Sequence, residues 1–279
     1  MVFFKIITRI VDFISYNAKT VFAIKNHTLL EKNKKLKGAY SGKVFILATG
    51  SSVESLNLDC LKSEYTIGVN KFFLHPKYES LNVDFFSLIE DWSHHKLVFL
   101  SWLAEMCFLK SKRDMVTFLH SSASVYMNDD DKDYAYRNKK NLFDKLNIHY
   151  VVPNGNFSTV DSIQSDIDKP CNIMSGSLYF SIGLAMYLGF NKVYLIGSDY
   201  SSEPIRVGHF YDGLNEVWSR EDINTDSNPD LYDNMIKNHA AIKAYAEKNN
   251  VEIINVTGEG FSSPIFKSST MENIIKELQ

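Results

Sequence analysis

Nowhere does this sequence hold the roughly twenty consecutive apolar residues that span a bilayer. The apolar stretch near its start, 3–24, is broken by Lys5, Arg9 and Asp12, and no small-residue cleavage site follows. Neither a transmembrane anchor nor a secretory leader is therefore predicted. Cysteine is scarce: Cys60, Cys107 and Cys171 lie far apart, with no C-x-x-C pair and no histidine at zinc-ligand spacing. That pattern argues against a disulfide framework, offers no metal site and fits a reducing cytoplasm. Proline and glycine are too thinly spread to make a linker, and no repeat or low-complexity tract divides the chain. Also missing are G-x-G-x-x-G, a Walker loop with its lysine, and a D-x-D at a strand end; Asp129-Asp130-Asp131 lies in a polar stretch and reads as solvated.

What is present is a 279-residue chain with 45% hydrophobic content, enough to fill one large core. A net charge of -3 gives no whole-molecule attraction to nucleic acid, but the charge is unevenly spread. Residues 1–43 hold nine Lys or Arg against Asp12 and Glu31 only, a local charge near +7. Within 3–24, Phe3, Ile6, Ile7, Ile10, Phe13 and Ile14 recur at spacings of three and four, which predicts an amphipathic basic helix. Such a helix suits an anionic membrane surface, bound through residues 1–37 with Lys32, Lys34, Lys35 and Lys37 adding attraction. It equally suits packing on the domain or on a second subunit of a homo-oligomer. The expected location is cytoplasmic, peripheral on the inner face of the cytoplasmic membrane.

Short apolar runs at 43–49, 65–69, 83–89, 115–119, 149–152, 191–196 and 252–255 read as buried strands. A turn leads from the first into 53–61, helical patterns at 177–188 and 235–248 separate later strands, Gly189 marks a helix stop, and a short helix ends the chain. This alternation predicts an α/β fold: a single Rossmann-type, doubly wound, mostly parallel sheet, a GT-A-like variant. The segment 1–42 is read as the basic helix and connector. The catalytic domain is 43–279, with a lid at about 201–238, a long aperiodic polar segment containing Pro204 and Pro229.

In an open parallel sheet, ligands bind beyond the carboxyl ends of the strands. Those ends read Thr49-Gly50-Ser51-Ser52, Asn70-Lys71, Glu90-Asp91 and Gly197-Ser198-Asp199-Tyr200. Asn70 alternatively closes a turn, Asp91 caps a helix, and Ser175 or Ser177 caps helix 177–188. Polar residues at all four ends point together to a ligand site.

Four motifs in this order, Ile46–Val53, Val69-Asn70-Lys71-Phe72-Phe73, Ser175-Gly176 and Tyr194–Tyr200, resemble the bacterial sialyltransferases of glycosyltransferase family 42. They also resemble the wider group named after an archaeal pterin pyrophosphokinase. The likeness covers about 43–256. In the family the first turn reads Gly-Asn-Gly-Pro-Ser-Leu and contacts the donor nucleotide; here Thr49 replaces the Asn and Ser51 the Pro, beside Gly50. The resemblance implies donor contacts from Asn70 with Lys71, from Glu90 or Asp91 near the base or ribose, from Ser175 and Gly176, and from Ser198 and Tyr200. It implies a lid that brings tyrosines, Tyr200 and Tyr211, to the leaving phosphate. The family's general base is a histidine ahead of the last helix, where this chain has Asp233 to Lys237; His209 is the favoured replacement, with His239 and Asp199 as alternatives.

The implied reaction moves an ulosonic sugar, sialic acid, Kdo or a relative, from its CMP ester to a glycan or glycolipid acceptor in a single inverting displacement. CMP carries one phosphate, so Mg2+ is compatible with the site but not implied, and no cofactor is obligatory. Two rivals stand beside this reading. Pyrophosphoryl transfer to a pterin needs Mg2+, for which Asp91 and Asp199 are candidate ligands. A non-catalytic module of a polysaccharide assembly complex needs only the fold.

Overall fold

Apolar runs too short to be helices and bounded by turn residues become strands here because both faces of each can be buried. The computed structural model describes residues 27–89, 115–123, 146–153, 163–171, 176–199, 229–256 and 263–279. Among them eight strands form one sheet: β1 Lys43–Leu47, β2 Thr66–Val69, β3 Phe85–Leu88, β4 Val116–His120, β5 Asn147–Val151, β6 Lys192–Ile196, β7 Glu252–Val256 and β8 Lys267–Ser269. Their order is β5-β4-β3-β2-β1-β6-β7-β8, and every neighbouring pair is parallel. The expected strands are all found, within two residues at each end. The three-residue β8 was not anticipated; its polar Lys-Ser-Ser carries no apolar pattern and joins the edge only by pairing with β7.

Alternate side chains feed two layers. On one face Val44, Ile46, Ile67, Val69, Phe85, Phe118, Val193 and Leu195 pack with α3 (Ser177–Leu188) and α4 (Pro229–Lys248). On the other, Phe45, Leu47, Phe86, Leu88, Tyr194 and Ile196 pack with α2 (Tyr78–Leu81), two 3-10 turns (Ser51–Ser55 and Leu58–Leu61) and α5 (Met271–Leu278). The sheet is therefore doubly wound. The connection after β1, read as a turn into 53–61, is made of those two 3-10 turns. Helix α4 starts at Pro229, which as a first-turn residue needs no amide partner. It thus takes residues 229–238, about the last quarter of the segment read as a lid.

Helix α3 is apolar nearly all round because the sheet covers one side and α4 the other. It ends at Gly189, whose left-handed φ of 107° closes the last turn onto the Ala185 and Met186 carbonyls. A Cβ there would also run into the Tyr40 carbonyl. The carbonyls of Tyr187 and Leu188 accept from Gly38 N and Tyr40 N, both at 2.9 Å.

The described part of the N-terminal segment is built into this domain. After α1 (His27–Glu31) comes a 3-10 turn, Lys32–Leu36, docked on edge strand β5. Asn33 is fully buried; its Nδ2 donates to Tyr150 O (2.9 Å) and Ile167 O (2.7 Å), and its Oδ1 meets His149 Nδ1 at 2.8 Å. Lys32 Nζ donates to Asn147 Oδ1 and Ile148 O, Lys34 pairs with Glu31, and Lys37 pairs with Asp166 at 2.8 Å. Three of the four lysines read as membrane-attracting thus hold partners within the fold. The amphipathic stretch 3–24 lies outside the described residues.

Candidate functional site

The strand order reverses direction between β1 and β6. At such a switch point the connections leave on opposite faces, so a crevice opens between the two carboxyl ends. Here Gly50, Ser52, Gly197, Ser198 and Asp199 stand at those two ends. Gly50 N donates to Gly197 O (2.9 Å), and a Cβ on Gly50 would stand 2.5 Å from that oxygen and 2.6 Å from the Asp199 carboxylate. Only glycine permits this approach. Asp199 in turn accepts from Ser52 N at 2.7 Å and from Ser52 Oγ. The carboxylate sits where the first strand-to-helix turn of a dinucleotide fold holds a phosphate. Thr49 and Ser198 are buried beside it, and Ser51 is half-buried.

Along the sheet, on β3, on β7 and at the end of β2, lie further polar atoms that the protein leaves unsatisfied. Asn70, at the end of β2, adopts a left-handed φ of 51°, which asparagine tolerates better than most residues. Its Oδ1 is buried with no hydrogen-bond partner. Ser87 on β3, paired in register with Val69, is fully buried, and its Oγ also has none. Asn255 on β7 donates from Nδ2 to Ser198 O at 3.3 Å, while its buried Oδ1 has no partner. Buried polar atoms without partners are rare and costly in folded proteins. Elsewhere among the described residues Thr117, His149 and Asp168 also carry such atoms.

The amino end of α3 faces the carboxyl side of the sheet, as an antiparallel crossover helix must, and α3 packs across β1, β2 and β3. Its N-cap is Gly176, at φ 105°, with no side-chain cap. Ser177, read as a candidate cap, is the first helical residue instead, and its carbonyl accepts from Ser181 Oγ. Among the described residues no side chain caps the positive end of the helix dipole.

The structure thus brings Thr49, Gly50, Ser51, Asn70, Lys71, Gly176, Ser198 and Asp199 to one edge of the sheet. Lys71 is buried beside Asn70. His239 lies on α4, buried, its ring 6.0 Å from that of Phe266, and burial pulls its pKa down to about 4. Glu90, Asp91, Ser175, Tyr200, His209 and Tyr211 lie outside the described residues, as does 201–228 of the expected lid. Other histidines are held by the fold: His75 Nδ1 accepts from Lys77 N and its ring stacks on Phe72, while His120 Nδ1 meets Ser122 Oγ at 2.7 Å.

Sequence reasoning placed Ser52 among the strand-end residues without giving it a role, and passed over Ser87 and Asn255. The signal for the last two was a polar residue inside an apolar run, 83–89 and 252–256. For Ser52 nothing local distinguishes it from Ser51.

The topology and this edge define an open-sheet α/β protein with polar residues gathered at its switch point. Two solved structures are similar. One is the monofunctional alpha-2,3-sialyltransferase Cst-I from Campylobacter jejuni, with TM-score 0.42 and 14% identity, covering 81% of this chain and 80% of that one. The other is the MAf glycosyltransferase from Magnetospirillum magneticum AMB-1, with TM-score 0.45 and 12% identity, covering 90% of this chain and 41% of that one. Likeness this distant carries no assignment of activity. No protein-family model and no curated protein match the sequence.

Proposed function

We propose that this protein is a glycosyltransferase that moves an ulosonic sugar from its CMP ester to a bacterial surface glycan, with inversion. The observation that carries the reading is the set of unsatisfied polar atoms, Asn70 Oδ1, Ser87 Oγ and Asn255 Oδ1, at the end of β2, on β3 and on β7. A bound nucleoside has the hydroxyl and amino donors that such acceptors need. The motifs at 46–53, 69–73, 175–176 and 194–200 give the nucleoside its expected identity, cytidine.

In the proposed reaction a base takes the proton of the acceptor hydroxyl as that oxygen attacks the anomeric carbon. The C–O bond to phosphate breaks on the opposite side, and CMP leaves. The uncapped amides of α3 and the hydroxyls of Tyr200 and Tyr211 stabilise the departing phosphate. Ser52 occupies the Asp199 carboxylate, and burial makes His239 a weak base. His209 is therefore the candidate base. The same engagement of Asp199 weighs against the pyrophosphokinase reading, which needs carboxylates free for Mg2+.

Thermal shift in the presence of CMP, UDP, GDP and ATP tests the reading. CMP is expected to raise the melting temperature most, since a ligand at 100 times its Kd adds about 2.7 kcal/mol. A larger shift with ATP and Mg2+ would point to the pyrophosphokinase instead.

A further inference from the structure

In a dinucleotide-binding sheet the amides of the first strand-to-helix turn, at the switch point, take the diphosphate. In this chain three of those amides are already engaged. Gly50 N donates to Gly197 O (2.9 Å), Ser52 N to Asp199 Oδ2 (2.7 Å) and Val53 N to Gly50 O (3.2 Å), and Ser52 Oγ donates to the other carboxylate oxygen. The group that fills the turn is itself an anion. Its placement is enforced from both sides, because any side chain at Gly50 would collide with the carboxylate and with Gly197 O. Ser52 is buried, whereas Asp199 is half-buried at the crevice.

We propose that Asp199 is a specificity-determining residue: its carboxylate fills the turn that would otherwise hold a second phosphate, so the crevice takes a nucleoside monophosphate ester and rejects nucleoside diphosphates. The inference rests on the nucleotide-sugar reading above but not on the identity of the base. A first phosphate has the uncapped end of α3 as its partner. A second phosphate in the crevice finds no free amide at Gly50, Ser52 or Val53 and meets a like charge a few ångströms away. Near a protein surface, such a juxtaposition is worth far more than it is in bulk water. Asp199 acts here by position and charge; it takes no part in bond making.

Calorimetric titration of the full chain with CMP and CDP, and with the matching pairs of uridine, guanosine and adenosine nucleotides, tests this. The monophosphate of the preferred base is expected to bind on the order of tenfold or more tighter than its diphosphate, the effect of one unscreened like charge. In Asp199→Asn, which keeps an acceptor for Ser52 N but removes the charge, the gap is expected to narrow to about threefold or less. Ser52→Ala removes a hydrogen bond but no charge and is expected to keep the gap. CDP binding as tightly as CMP to the unaltered protein would overturn the inference and leave the cytidine reading standing. Preference for another base, with its monophosphate still favoured, would overturn the cytidine reading and support the inference. A gap that survives Asp199→Asn, or closes equally in Ser52→Ala, would assign the discrimination to the shape of the turn and overturn the proposal. Binding of no nucleotide at all would overturn both.

Discussion

Ser87 separates the demands of stability from those of binding. Its buried hydroxyl has no partner in the protein, so Ser87→Ala removes an unsatisfied group of nearly the same size. Stability is expected to stay within about 0.5 kcal/mol or to rise, while CMP affinity falls by about 1 kcal/mol or more if the hydroxyl serves the ligand. Urea denaturation and calorimetry on one preparation read both quantities; loss of stability with unchanged affinity would make Ser87 a packing residue. For the base, His209→Ala is expected to lower turnover by about 100-fold or more with CMP binding intact. Near-normal turnover there and a dead His239→Ala enzyme would move the role to α4. Asn70 was legible from sequence because it ends an apolar run, whereas its left-handed backbone and unpaired oxygen depend on how the next 3-10 turn packs.

At the scale of elements, the join between the turn Lys32–Leu36 and β5 is expected to weaken in acid. Asn33 Nδ2 already serves two carbonyls, so Asn33 Oδ1 is an acceptor and His149 Nδ1 carries the proton that it receives. The other ring nitrogen of His149 is buried without a partner, and burial together with Lys32 and Lys35 lowers the pKa of this histidine from 6.5 to about 3. The folded value lies below the unfolded one, so unfolding takes up a proton as pH falls. This contribution to stability is complete above about pH 6.5 and is lost progressively towards pH 3, at up to about 1.4 kcal/mol per pH unit. His239 adds a similar loss that ends near pH 4. His149→Leu is expected to flatten the profile between pH 6 and 4 (~1 kcal/mol per unit); an unchanged slope would place the acid sensitivity elsewhere. Asn33→Ala, which strands Tyr150 O, Ile167 O and His149, is expected to cost about 2 kcal/mol or more. The basic pattern of this segment suggested a surface role, but Asn33 is silent in any periodicity argument; its partners lie 116 to 134 residues away.

For the whole molecule, truncations within the N-terminal segment test the membrane expectation. No helix among the described residues is long and apolar enough to cross a bilayer. A chain lacking 1–26 is expected to fold and to lose cosedimentation with anionic vesicles, because Phe3, Ile6, Ile10 and Phe13 go with it. A chain lacking 1–37 also loses Asn33, Leu36 and the Lys37–Asp166 pair, so its melting temperature is expected to drop as well. Equal sedimentation of the full and 27–279 chains would make the N-terminal stretch structural.

The sequence by itself determined the number, order and type of nearly all the elements, since apolar runs, turn residues and a helix-stopping glycine act over a few neighbours. It also determined that the carboxyl ends of the strands carry the polar residues. Only the tertiary structure decided the order β5-β4-β3-β2-β1-β6-β7-β8, which brings Ser52 and Asp199 together across 147 residues of chain. It alone set the Asp199 carboxylate against Ser52 at the first turn, gave Lys32 and Lys37 partners on the domain, and left Ser87 and Asn255 with unsatisfied atoms. The physical reason is the same in each case: a hydrogen bond or a buried charge depends on what packing sets opposite it, and that partner is remote in sequence.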